Sequence, residues 1–255
     1  MAVRLLAVIP ARLDSRRLPS KHLRPLRRRP MVAYTLAAMR AVSGVDEVVV
    51  ATSDRAIDDP LAEWAEAYGV ACYRGDVDDV LGRVAAAAAA HGADLVIKAN
   101  GDSPLLAPEV AARGVAQLTE RGLDLASGKT GYTGLPQGFG VEVLRAPALA
   151  RLAAEAREPD DRESITGAAF AAELGFDWAP IRVPAAWCAP DIDLCVDTHF
   201  DRIRLEAVLS RLPEDEALTW PADAVLAAAR AALADLDPAP DAASLSGPVP
   251  EAARL

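Results

Sequence analysis

The stretch Leu5–Leu23, LLAVIPARLDSRRLPSKHL, sets the architecture expected of this 255-residue chain. Leu5-Leu6-Ala7-Val8-Ile9 is an unbroken apolar run closed by Pro10, the pattern of a strand buried on both faces. Past Pro10 the chain turns basic. Arg12, Arg16, Arg17, Lys21, Arg24 and Arg27 to Arg29 place eight cations within residues 12–29, in a protein whose formal net charge is -10. In open α/β sheets, ligands bind beyond the carboxyl ends of the strands. Cations and free backbone N–H groups gathered there suit a polyanion, and a nucleoside triphosphate is the foremost candidate.

The chain downstream repeats a strand–helix rhythm. Pro30 to Val42 has helical spacing with a proline at its start, and Gly44 ends it. Asp46 to Ala51 is a second buried strand. Thr52, Ser53 and Asp54 offer cap chemistry for a helix through about Tyr68, which Gly69 stops. Val70 to Tyr73 is a third strand, and Ala93 to Ala99 a fourth, after an alanine-rich helix ending near His91-Gly92. Alternation of this kind predicts a mostly parallel sheet covered by helices on both faces. Further on, a strand over Leu123–Ala126 leads into a glycine-rich lid or acceptor loop, Ser127 to Gln137, and the chain returns to strand at Phe139–Leu144. Phe176 to Val183 reads as an edge or antiparallel strand, and Ile192 to Asp197 as the last strand. Residues 1–236 then form one domain, and Asp237 to Leu255, rich in Pro, Ala, Asp and Ser, a flexible tail.

Composition removes several classes of function. An acidic chain without a domain-wide basic surface is not built for nucleic acid. Aromatics make up only 5%, which argues against a base-stacking platform. No apolar run reaches the length of a membrane span and the chain begins directly with a core strand, so a cytoplasmic location is expected. Cys72, Cys188 and Cys195 read as free thiols. His22, His91 and His199 lack metal-ligand spacing, so no structural zinc is expected. Asn100-Gly101-Asp102-Ser103-Pro104 is different. A carboxylate held by a glycine and a proline at the end of a central strand suits Mg²⁺, which takes one or two carboxylates together with phosphate oxygens. The plainer role for Asp102 is a turn aspartate ahead of the next helix.

Ala11, Arg12, Ser15, Arg17, Leu18, Pro19 and Lys21 spell A-R-x-x-S-x-R-L-P-x-K, which resembles the signature loop of the cytidylyltransferases. The branch named after spore coat polysaccharide biosynthesis protein F fits best. Five later segments follow in the family's order. They are Arg74-Gly75 with Asp78-Asp79 and Val80-Leu81, Asn100 to Pro104, Pro136 to Val143, Arg162 to Thr166, and Asp197-Thr198. The resemblance implies a Rossmann-like, three-layer nucleotide-diphospho-sugar transferase fold. It also implies transfer of CMP from CTP to an anionic acceptor with release of pyrophosphate, and it leaves a homodimer open. Under it Arg12 and Lys21 grip the β- and γ-phosphates, and Arg17 assists them or braces the loop. Pro10, Ala11, Ser15, Arg74, Asp79 and Asn100 meet the nucleotide, while Asp102 and Asp197 hold Mg²⁺. Gly138, Glu142, Arg162 and Glu163 belong to the acceptor side.

Plainer roles stand beside these. Asp76, Asp78 and Asp79 favour a helix N-terminus, Glu142 can serve a network under the sheet, Arg162 and Glu163 a surface ion pair, and Asp197 a helix cap. The chain also departs from the family pattern. Asp14 and Ser20 replace glycines, Arg16 a small hydroxyl residue, Ser164 a histidine and His199 a proline. Asp14 must then point away from triphosphate or pair with Arg16 or Arg17. The extra cation at Arg16 favours a small, highly charged acceptor such as a phosphonate or phosphorylated acid over a large sugar. Two other classes remain in view. One is a glycosyltransferase whose D-x-D would be Asp191-Ile192-Asp193, and the other is a catalytically silent nucleotide-binding subunit.

Overall fold

The structure is a computed structural model and describes residues 3–235. The expected tail from Asp237 to Leu255 lies outside the described residues.

The opening strand β1, Leu5–Pro10, is the centre of the molecule. It pairs in parallel with β4 (Glu47–Ser53) on one side and β6 (Leu95–Lys98) on the other. Leu6, Ala7, Val8 and Ile9 are fully buried, as an apolar strand flanked on both faces requires. Leu5, Ala7 and Ile9 join one core layer, and Leu6 and Val8 the other, because successive side chains point to opposite faces. Each Leu, Ile or Val among them contributes roughly 1.5–3 kcal/mol of burial.

Between β1 and β4 lie a short hairpin, β2 (Pro25–Leu26) and β3 (Arg29–Pro30), and helix α1, Met31–Arg40. Helix α2 (Asp59–Ala67) leads to β5, Ala71–Gly75, which pairs in parallel with β4. Helix α3, Val80–Ala90, returns to β6, and α4, Pro108–Arg121, follows. The sheet then changes direction. The strand β7 (Leu125–Ser127), the short helix α5 (Thr130–Thr133) and the strand β8 (Glu142–Arg145) come next. β8 inserts between β6 and β7, antiparallel to both. Helices α6 (Ala146–Glu155) and α7 (Pro159–Ser164) precede the edge strand β9, Trp178–Pro180, which pairs in parallel with β7. Helices α8 (His199–Leu209) and α9 (Ala222–Asp235) complete the fold. The seven-stranded order is β5-β4-β1-β6-β8-β7-β9, a mostly parallel sheet between two helical layers.

Two expectations are corrected. Thr52 and Ser53 do not cap a helix, because β4 runs through both and a 3₁₀ turn at Ala56–Asp58 intervenes before α2. Residues 192–197 are not a strand. One isolated bridge, Gln137 with Asp193, is their only ladder contact among the described residues. The segment is held by single backbone bonds to other loops: Gln137 N to Ile192 O, Leu194 N to Gln137 O, and Val196 N to Asp102 O. The three cysteines are free. No described helix is long and apolar enough to cross a membrane.

Candidate active site

Where β1 ends, the chain becomes the basic loop, and its backbone is pinned from three directions. Ala11 N donates to Ala51 O of β4, and Gly101 N to Pro10 O. Leu13 N donates to Asp58 Oδ1 at 2.6 Å, and Ser53 Oγ donates to the other oxygen of that fully buried carboxylate. Asp58 had no signal in the sequence beyond its place near a strand end. Buried His22 closes the loop from below, since its Nδ1 lies 2.7 Å from Arg12 O. A carbonyl only accepts, so that nitrogen carries the proton. Burial pushes the His22 pKa down to about 4, which keeps the ring neutral. Gly101 is needed here, because a side-chain carbon at that position would meet His22 at 2.8 Å and Ala11 at 3.1 Å.

A cavity of about 500 Å³ opens above this loop, lined by Pro10, Ala11, Arg12, Ser15, Arg17 and Lys21 on one side. Asn100 and Asp102 after β6, Asp197 ahead of α8, and Glu163 of α7 face them. The decisive contact is at Lys21. Its Nζ donates to Asp102 Oδ2 at 2.7 Å and to Asp197 Oδ1 at 2.9 Å. Arg17 pairs with the second oxygen of Asp197, also at 2.9 Å. Burial opposes the charge on Lys21, but Asp102 and Asp197 outweigh it and hold the pKa above the ordinary lysine value. Burial likewise opposes the Asp102 carboxylate, and Lys21 holds it below the usual range. Two carboxylates far apart in sequence therefore converge on one cation. They meet through the bond from Val196 N to Asp102 O rather than through neighbouring strands. Asp197 is set by the α8 capping box, in which Asp201 accepts from the backbone N–H groups of Asp197 and Thr198.

A second cavity of about 310 Å³ adjoins the first and shares Lys98, Asn100 and Lys129 with it. Gly138 and Glu142 lie on its wall. Glu142, fully enclosed, accepts from Lys98 Nζ at 3.0 Å and from Thr166 Oγ1, and Lys129 Nζ stands 3.6 Å away. Burial works against its carboxylate, yet Lys98 and Lys129 hold its pKa below the ordinary value. The network under the sheet and the cavity wall are thus one structure. Gly138 adopts φ 77°, and a side chain there would meet Cys195 at 2.8 Å.

Other expected contacts fall elsewhere. Arg74 is outside the cavity lining. Its guanidinium donates to Ser53 O and Arg55 O and pairs with Asp59 at 2.7 Å. Asp79 and Arg162, expected on the nucleotide and the acceptor, bind each other across α3 and α7 through a two-point ion pair. Asp79 also caps α3 by accepting from Gly82 N. Both are committed to holding the cavity wall. Glu163, next in the chain, does reach the cavity and bonds Arg12 at 3.3 Å. Asp14 pairs with Arg55 at 2.6 Å rather than with Arg16 or Arg17, so its charge is neutralised even though the residue lines the main cavity. Lys98, Lys129, His22 and Arg83 line the main cavity without having been picked out in the sequence. Lys98 carried the only usable signal, a lysine at the end of an otherwise apolar strand.

A sequence family described as cytidylyltransferase matches residues 6–176. The chain belongs to the cytidylyltransferase family. That membership indicates a CTP-dependent nucleotidyltransferase. Among curated relatives, the spore coat polysaccharide biosynthesis protein SpsF of Bacillus subtilis is 27% identical over 215 residues, 82% of this chain and 88% of that protein. An uncharacterized Methanocaldococcus jannaschii protein, MJ1063, is 29% identical over 164 residues, 64% of this chain and 66% of that one. The 3-deoxy-manno-octulosonate cytidylyltransferase of an Anaeromyxobacter strain is 36% identical over 127 residues, and the match spans 49% of this chain and 50% of the enzyme. Of solved structures, a cytidylyltransferase from Leptospira borgpetersenii superposes with TM-score 0.82 at 23% identity, covering 91% of this chain and 96% of that one. A CMP:2-keto-3-deoxy-manno-octonic acid synthetase complexed with CTP gives TM-score 0.64 at 20% identity, covering 81% and 98%. These superpositions establish the cytidylyltransferase fold. The aspartates of the Asp191-Ile192-Asp193 triplet, the D-x-D of a glycosyltransferase reading, do not line the main cavity.

Proposed function

We propose that the protein transfers CMP from CTP to a small anionic acceptor, releasing pyrophosphate with the help of Mg²⁺. The convergence of Lys21, Asp102 and Asp197 at the carboxyl end of β1 carries the proposal. Nucleotidyl transfer needs positioning and neutralisation of phosphate charge more than covalent chemistry. Arg12, Arg16, Arg17 and Lys21 supply that charge along one wall. The acceptor oxygen attacks the α-phosphorus and the bond to the β-phosphate breaks, so pyrophosphate leaves against those cations.

Asp102 and Asp197 fit a divalent ion, because both are oxygen donors already arranged around a positive charge. Among the described residues no cluster of three or more His, Cys, Asp or Glu side chains is formed, so phosphate and water oxygens would complete the shell. Mg²⁺ bound there would neutralise phosphate charge and lower the pKa of the attacking oxygen. Lys21, released from the carboxylates, would then be available to the triphosphate. The second cavity, with Lys98 and Lys129 at its junction with the first, receives the acceptor. Its cations suit a sugar acid, a phosphorylated acid or a phosphonate.

The test is thermal stabilisation of the purified protein by CTP, UTP, GTP and ATP, each with and without Mg²⁺. A ligand at a hundred times its dissociation constant stabilises by about 2.7 kcal/mol. A selective, Mg²⁺-enhanced shift with CTP is expected. A shift with a nucleotide sugar, and none with any triphosphate, would move the assignment to glycosyl transfer.

A further inference from the structure

Arg12 lies on the loop after β1, and its side chain reaches the opposite wall of the main cavity. Its Nη2 donates to Glu163 Oε1 of α7 at 3.3 Å, and among the described residues each is the other's one ion-pair partner. Both side chains meet solvent, Glu163 67% exposed and Arg12 37%, so the pair is weak and readily exchanged. The backbone that carries Glu163 is nonetheless tightly placed. Besides its ion pair with Asp79, Arg162 donates from Nη1 to Ala153 O at 2.8 Å and Ala156 O at 3.1 Å, which fixes α7 to the end of α6. Ile165 takes φ 68° and ψ -50°, with Thr166 N donating to Ser164 O at 2.8 Å. This γ-turn is rare and strained, the more so for a β-branched residue. It is locked in place, because Ile165 is buried and Thr166 Oγ1 is tied to Glu142. Strain of this kind gathers at functional sites. Here it turns the chain so that Glu163, Ser164 and Ile165 all line the cavity.

A carboxylate offers a guanidinium the same pair of oxygens that a phosphate does. An anion that takes Arg12 must therefore displace Glu163 from it. Resting on the nucleotidyltransferase reading above, we propose that Glu163 is an internal competitor for the phosphate site. It holds Arg12 across the cavity, yields it to the incoming triphosphate and reclaims it as pyrophosphate leaves. The exchange tempers the grip of the basic loop on polyphosphate, the released product included. Glu163 acts through Arg12 and is a positioning residue, so its effect falls on every polyphosphate alike, whatever base is attached.

The test is titration calorimetry on the full chain with pyrophosphate, inorganic tripolyphosphate and CTP. Wild type is compared with Glu163→Gln, Arg12→Gln and the double variant. Glu163→Gln keeps the side chain's length and removes its charge, and it should tighten all three ligands by about two- to fivefold. In the Arg12→Gln background the same change should alter binding by less than about 1.5-fold, because the partner it released is gone. Glu158, the exposed residue just before α7 and outside the cavity lining, controls for charge alone. Glu158→Gln should likewise shift binding by less than about 1.5-fold, since solvent and salt screen it. Unchanged or weaker binding in Glu163→Gln would overturn the proposal while leaving the nucleotidyltransferase reading intact. So would an undiminished gain without Arg12, or an equal gain from Glu158→Gln. A wild-type protein that binds neither CTP nor pyrophosphate would overturn both.

Discussion

Ser20 sits in the left-handed region at φ 57°, ψ 27°, and its side chain caps nothing. The backbone demands that shape, since Ser20 N donates to Leu13 O and Ser20 O accepts from Leu23 and Arg24. A residue with a Cβ pays roughly 1–2 kcal/mol there, and a glycine would return part of its gain as unfolded-state entropy. Ser20→Gly should therefore stabilise the protein by about 1 kcal/mol, read from its urea midpoint at unchanged slope. His22 makes a second residue-scale prediction. Its folded pKa of about 4 is below the unfolded value of 6.5, so the unfolded chain binds more protons between those limits. The stability it confers is complete above pH 6.5 and is lost as the pH falls toward 4. Urea unfolding from pH 7 to 4 should show a decline of a few kcal/mol that is much shallower in His22→Gln.

At the scale of elements, the basic loop after β1 owes its shape to a neighbour it does not pair with as a strand. Asp58 closes the 3₁₀ turn after β4 and reaches back to Leu13 N and Ser53. Removing it leaves a buried donor unsatisfied, which costs about 1–3 kcal/mol. Asp58→Ala should lose at least that much stability and raise KM for CTP more than it lowers kcat, because the loop cations lose their register. A loss of kcat at unchanged KM would show that Asp58 serves something other than nucleotide binding. Helix α7 is held in the same indirect manner. The Arg162–Asp79 pair joins it to the N-terminus of α3, and that places Glu163 beside Arg12.

Taken whole, the molecule carries a net charge of -10 and concentrates cations at one cavity. Such an arrangement raises the local concentration of a polyanion and is screened by salt over a Debye length of about 8–10 Å near physiological ionic strength. Raising KCl from about 50 to 500 mM should increase KM for CTP several-fold, with a smaller change in kcat. A flat KM would mean that the exposed loop cations, Arg16 and Arg17 among them, contribute little to capture.

Local sequence determined the central strand, the basic loop after it and the carboxylate turn at Asp102. Each depends on short-range chemistry: an apolar run, a cluster of cations, a glycine and a proline beside an aspartate. The same holds for the Lys21 and Asp197 positions, which the family pattern marked. Tertiary structure decided which charges were left for a ligand. Asp79 and Arg162 looked alike in character to Asp102 and Arg12, but they neutralise each other across two helices. Arg74 turned to carbonyls and Asp59, and Asp14 to Arg55. Asp58, Lys98 and Arg83 became part of the site because the fold buried them beside it. Whether a charge is spent on the fold or kept for substrate depends on its partners in space. Those partners lie 24 to 83 residues away for the Glu142–Thr166 and Asp79–Arg162 contacts, beyond the reach of any local pattern.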